Sequence, residues 1–204
     1  MPSKATIIQE SLRLIEKNQF EGKHMPSKAS DESSYLEGYD FYIMRHGPAS
    51  PRGAAGITDD SKRALTPEGK KKMEEIARGL TRLGVELDWI VTSPLARAVE
   101  TAEIVADSIP SKVLMDITDT LIPGGPPEAL LAFLAKHPHR KRVLVVGHEP
   151  DLSELAARLI GAGRHAHLSF KKGGCCRISF DEFPPKSPGK LVWWLTPRVL
   201  RKLA

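Results

Sequence analysis

The sequence predicts a doubly wound α/β domain, with a mostly parallel sheet, helices on both faces and antiparallel pairing at one edge. Three observations carry this. Short runs such as FYIM (41–44), DWIVT (88–92) and RVLVVG (142–147) have the length and composition of strands buried on both faces. Thr66-Pro67 and Ser93-Pro94 each set a capping residue before a proline at the head of a helical stretch, so strands and helices alternate. Finally, β-like runs at 166–170, 174–180 and 190–195 succeed one another without an intervening helix, as antiparallel neighbours do.

In chain order, Tyr39–Arg45 is the first strand. A helix runs from Thr66-Pro67 to about Leu83, where Gly84 ends it. Asp88–Thr92 is the second strand, and Ser93-Pro94 opens a helix to about Asp107. A short strand near 112–115, a helix near 126–136, the strand 142–147 and a helix from Pro150 to about Ile160 come next. The three late β runs and a short helix after Pro197 complete the domain. Residues 1–38 stand apart as an N-terminal extension to a domain of 39–204. Ile7, Ile8, Leu12, Leu14 and Ile15 suggest a short amphipathic helix there, and 26–38 (PSKASDESSYLEG) is linker-like. MPSKA occurs at 1–5 and again at 25–29; a cloning scar, an alternative start and a local duplication all account for it.

Composition narrows the function. At 204 residues, 41% hydrophobic and 27% charged, the chain is ordinary globular material with room for a substantial core. No apolar run approaches the ~18 residues of a membrane helix, and the N-terminus lacks signal-peptide features, so a cytoplasmic, membrane-free protein is expected. The net charge of +5 is too small, and its basic residues too scattered and too poor in neighbouring aromatics, to argue for nucleic acid. Adjacent Cys175 and Cys176 suit two half-buried reduced thiols better than a disulfide.

The chemistry sits where three strands end. Arg45 and His46 come at the end of the first strand, Arg97 lies in the first turn of the helix opened by Ser93-Pro94, and His148 comes one residue past RVLVVG. In open α/β sheets ligands bind at the carboxyl ends of strands. Two arginines and two histidines converging there, beside a helix start whose free N–H groups favour negative charge, describe an anion site. His165 and His167 alternate but lack a third metal ligand, and His137 and His139 lie in a Pro-containing loop.

RHG (45–47), LTPEG (65–69), SPLARAVETAE (93–103) and VVGHEPDL (145–152) together resemble the histidine phosphatase superfamily. LIPGG (121–125), LSFKKGG (168–174) and WWLTPRVL (193–200) are most similar to its SixA-type phosphohistidine phosphatases. The resemblance runs from about Tyr39 to the C-terminus. It implies that His46 is the nucleophile that takes the phosphoryl group, held with Arg45, Arg97 and a protonated His148 as oxygen ligands, without metal or other cofactor. The implied partner is a phosphohistidine-bearing protein, or a small phosphorylated substrate, met by a monomer. Asp60 and Asp119, with Asp116 beside them, are candidate general acids, each equally readable as a solvated loop acid. Phosphohistidine has little need of one, because its leaving imidazole has a pKa near ~6.5 rather than that of an alkoxide. Two alternatives compete: a small-molecule phosphomonoesterase of the same superfamily, and a non-catalytic phosphate-binding module.

Overall fold

The computed structural model describes residues 38–204, apart from 54, 55, 57, 164 and 165, so the expectations for the N-terminal helix and linker lie outside the described residues. Six strands form one sheet in the order β3-β2-β4-β1-β5-β6. They are β1 (Tyr39–Arg45), β2 (Trp89–Thr92), β3 (Leu114–Ile117), β4 (Arg142–Gly147), β5 (Cys175–Phe180) and β6 (Lys190–Leu195). The first four run parallel, and β5 and β6 add to the β1 side antiparallel. The helices are α1 (Pro67–Arg82), α2 (Ala96–Ser108), α3 (Pro127–Leu134), α4 (Asp151–Leu159) and α5 (Pro197–Leu203).

Side chains on a strand point alternately to either face, and the two cores keep that period. Tyr42 and Met44 of β1, with Leu144 and Val146 of β4, pack under α1, α2 and α5 through Met73, Ile76, Ala98, Val105 and Leu200. Phe41, Ile43, Val143 and Val145 face the other way, against Leu130 and Leu134 of α3 and Leu152 and Leu155 of α4. Each fully buried aliphatic side chain contributes roughly 1.5–3 kcal/mol, so both layers are needed to hold the sheet. The same alternation separates the cysteines: Cys175 lies in the first core and Cys176 in the second. Both thiols are free and fully buried, not half-buried, and burial pushes Cys176 up to about 12.

Three expectations change. Residues 166–170 form no strand: Ala166 and Leu168 make local backbone bonds to Gly163 and Ala166, and the Phe170 N–H goes to the Glu149 carboxylate at 2.9 Å. Phe170 is nonetheless fully buried and stacks on Trp194 at 3.9 Å. Ser93 does not cap α2, which begins at Ala96 after Leu95 with no side-chain cap. The short third strand is Leu114–Ile117, a little later than its expected place near 112–115. Thr66 does cap α1, its hydroxyl accepting from the Gly69 N–H at 2.9 Å.

Candidate active site

The carboxyl ends of β2, β4 and β1 are neighbours, so the residues just past each strand must meet. The ladders run one residue beyond the strands: His46 N–H donates to Gly147 O and Ser93 N–H to Val146 O, both at 3.1 Å. This brings His46, Ser93 and His148 together, and the His46 and His148 rings lie 5.1 Å apart. The loop after β1 is then pinned from α2 and α1. Gly47 N–H donates to Thr101 Oγ1, which donates to Arg97 O; Thr66 N–H donates to Pro48 O. Glycine at 69 is required here, because a Cβ would sit 2.0 Å from the Pro48 carbonyl oxygen. Glu100 of α2 closes the assembly by accepting from Leu65 N–H at 2.6 Å and from Lys70 at 2.7 Å. The separate motifs of the sequence are thus parts of one hydrogen-bonded frame.

Within it, His46 is 6% exposed, and its Nδ1 bonds the Gly47 carbonyl at 2.7 Å. A carbonyl can only accept, so the proton is on Nδ1 and Nε2 keeps its lone pair. Burial, reinforced by His148, Arg97 and Arg45 and opposed by the Gly47 bond, holds His46 down to about 3. His148 is similarly buried and its Nε2 pairs with Ser93 Oγ at 2.8 Å. Burial first and Arg97 next bring it down to about 4. His148, expected to be protonated, is therefore neutral here; the negative charge of a bound phosphate is what would raise it.

The arginines are held by their tips. Arg45 Nη1 donates to Phe170 O at 2.7 Å, while Arg97 gives Nη1 to Asp60 O at 2.9 Å and Nη2 to Asp60 Oδ2 at 3.1 Å. Four buried side-chain polar atoms lack a partner among the described residues, and three of them are Arg45 Nε, Arg97 Nε and His148 Nδ1. Buried polar groups are almost always satisfied, so this clustering beside His46 calls for an explanation, and an oxyanion supplies one.

The candidate acids fare differently. Asp60 accepts from Arg63 Nε at 2.7 Å and from Arg97, with Arg52 at 3.4 Å. The Arg63 bond above all, then Arg97, Arg63 and Arg52 as charges, hold its carboxyl below the usual range. It is an ionised hub for arginines and has no proton to donate near neutrality. Asp116 accepts from Trp89 Nε1 at 2.7 Å, and Asp119 is exposed at the head of the turn Asp119–Leu121. Of the other histidines, His137 packs on Trp89 at the opposite end of β2, His167 is exposed, and His165 lies outside the described residues.

Sequence reasoning missed Ser93 as the partner of His148, Thr101 as the brace of the His46 loop, Arg63 on Asp60, and Glu149. The Glu149 carboxylate accepts from Ser153 Oγ and Phe170 N–H and so ties the His148 loop to the segment that holds Arg45. Ser93 and Glu149 lie within motifs already singled out, which was the available signal.

A buried neutral imidazole beside two arginines with open nitrogens, at the carboxyl end of an α/β sheet, has the donors to hold an oxyanion. Residues 41–121 match the histidine phosphatase superfamily (branch 1). Phosphohistidine phosphatase SixA of Escherichia coli is 32% identical over 162 residues, 78% of this chain and 95% of the relative. An uncharacterized protein of Picosynechococcus is 38% identical over 138 residues, 66% of this chain and 81% of its own length. The solved structure of the protein histidine phosphatase SixA complexed with tungstate is 27% identical, superimposes with a TM-score of 0.68, and spans 79% of this chain and 99% of its own. The chain belongs to the histidine phosphatase superfamily.

Proposed function

We propose that this protein hydrolyses phosphohistidine, carried on a partner protein, through a phosphohistidine intermediate on His46. The observation that carries the reading is the pairing of a neutral His46, its Nδ1–H fixed on Gly47, with the unpartnered nitrogens of Arg45, Arg97 and His148. His46 Nε2 attacks phosphorus as the P–N bond to the substrate imidazole breaks. That imidazole takes its proton from solvent. Water then attacks the phosphorylated His46; its oxygen bonds phosphorus, the Nε2–P bond breaks, and inorganic phosphate leaves. Arg45, Arg97 and His148 hold the phosphoryl oxygens, where charge is greatest in the transition state. Metal is not called for when guanidinium groups already supply the fixed charge. The ionised Asp60 favours phosphohistidine over alkyl esters, since an alkoxide needs a proton donor and an imidazole does not. The SixA relative, itself a phosphohistidine phosphatase, agrees with this choice.

The test is kcat/KM across a panel of phosphohistidine peptides, phosphohistidine proteins, sugar phosphates and alkyl phosphates, joined to trapping of the labelled enzyme. Phosphohistidine is expected to lead the panel and the label to fall on His46. Faster turnover of a sugar phosphate would move the protein to the phosphomonoesterases, and label on another residue would remove His46 as nucleophile.

A further inference from the structure

Beyond Arg45, His46, Arg97 and His148, a lysine lies in the turn whose backbone is bonded to Arg45 and His46. We infer that Lys172 is an additional ligand for the substrate's phosphoryl group, closing on it from the turn that supports Arg45 and His46. This rests on the phosphatase reading and adds a residue to it.

The placement comes from the backbone. Phe170 O, two residues before Lys172, accepts from Arg45 Nη1 at 2.7 Å. Gly173 N–H, one residue after it, is shared between Arg45 O at 3.0 Å and His46 O at 3.2 Å. Gly174 O accepts from Arg45 N–H at 3.1 Å, and Gly174 N–H closes the turn on Lys171 O at 2.7 Å. Lys172 is therefore bracketed by bonds to the proposed nucleophile and its neighbour. The turn also has little freedom to sit elsewhere. Gly173 has φ +79°, and a Cβ on it would meet Ile76 Cδ1 at 2.7 Å and Met73 Sδ at 3.1 Å.

The charge is equally particular. Arg52, Arg63 and Arg97 share Asp60, Lys70 has Glu100, and Lys72 has Glu68. Lys172 is exposed and makes no ion pair among the described residues. Partial loss of hydration at its ammonium, and then the nearby charges of Arg45, Arg63 and Arg97, hold Lys172 below the ordinary lysine value although the residue as a whole is exposed. A cation kept close to three others without a counter-ion is unfavourably placed until an anion arrives. A lysine, a compact charge on a flexible stem, suits a ligand that must let substrate in and then close over it.

The experiment measures binding without chemistry. Inorganic phosphate and tungstate are titrated calorimetrically into the full chain and into Lys172→Gln, Lys172→Arg and Lys171→Gln. Loss of one charge-assisted contact is expected to weaken both oxyanions by about tenfold in Lys172→Gln. Lys172→Arg should stay within about threefold of the parent, since it restores the charge. Lys171→Gln, which removes the same charge one residue away, should leave binding unchanged. The kcat/KM for phosphohistidine should fall with oxyanion affinity. If the parent binds neither oxyanion, the phosphatase reading itself fails. Should the parent bind while Lys172→Gln and Lys171→Gln behave alike, the Lys172 inference is overturned and the rest of the site stands. A loss of turnover on a phosphohistidine protein with oxyanion affinity intact would also overturn it, because Lys172 would then touch the carrier rather than the phosphoryl group.

Discussion

The two ends of the parallel strands treat charge in opposite ways. At the amino end, Asp40 of β1 meets Arg177 of β5 through two bonds of 2.8 and 3.0 Å. Asp88 Oδ2, just before β2, accepts the N–H groups of Lys141 and Arg142 and so fixes where β4 begins. Only Asp88 Oδ1 is left there without a partner among the described residues. At the carboxyl end, two arginines and two histidines crowd together, and open nitrogens remain on Arg45, Arg97 and His148. One end uses its charges to hold strands in register; the other keeps donors open at a cost in stability. Unsatisfied buried donors thus separate a site from structural polar residues more clearly than charge or burial alone.

His46→Ala tests the open end most severely. Turnover should fall to background, because the nucleophile is gone, while the circular dichroism spectrum is retained. A variant that keeps substantial turnover would show that the open donors serve some other group.

Arg45→Ala and Arg97→Ala come next, each expected to lower kcat about 10²–10³-fold, the usual cost of one oxyanion donor. Arg97→Lys should recover little, since a lysine cannot hold Asp60 with two nitrogens and still offer a third. Asp60→Asn should cost less than ~10²-fold on phosphohistidine. An Asp60 loss as large as that of Arg97, on esters and phosphohistidine alike, would restore Asp60 as an acid.

The buried histidines connect the open end to stability. Their folded values of about 3 and about 4 lie below the ordinary ~6.5, so between roughly pH 4 and 6.5 the unfolded chain binds protons that the folded chain does not. Stability should be full above 6.5 and fall as pH drops, by up to ~1.4 kcal/mol per unit for each histidine. NMR titration of the phosphate-free protein should show both rings neutral at pH 5. Protonation of His46 near 6.5 would remove the burial argument.

The smallest kinetic effect is expected at the paired end. Asp40→Ala removes two charge-assisted bonds from Arg177 in a largely buried place, where the Asp40 and Arg177 side chains are 14% and 27% exposed. A loss of about 1–3 kcal/mol is expected, read as a drop in Tm, with kcat/KM per folded molecule unchanged. A kinetic loss matching that of an arginine at the other end would erase the contrast between the two.

Much of this was legible without coordinates. The runs at 41–44 and 142–147 fall within strands, the strand expected over 88–92 begins one residue later at Trp89, and Thr66 caps α1 as its position before Pro67 suggests. These features depend on neighbours a few residues away, so spacing along the chain is enough to reveal them. The meeting of Arg45, His46, Arg97 and His148 was also foreseeable, because parallel strands deliver the residues after them to one edge. The tertiary structure alone decided the partners. Arg45 reaches Phe170 across 125 positions, Ser93 turns from the helix start to His148 across 55, and Arg97 takes Asp60 across 37. Those pairings result from the strand order β2-β4-β1 and from the loops laid over it. The same distant contacts made Asp60 an ionised hub instead of an acid, kept His148 neutral, and drew the Phe170 N–H to Glu149 and away from any strand. Local spacing carries no record of these choices, because each depends on which polar group the folded chain brings within hydrogen-bond reach.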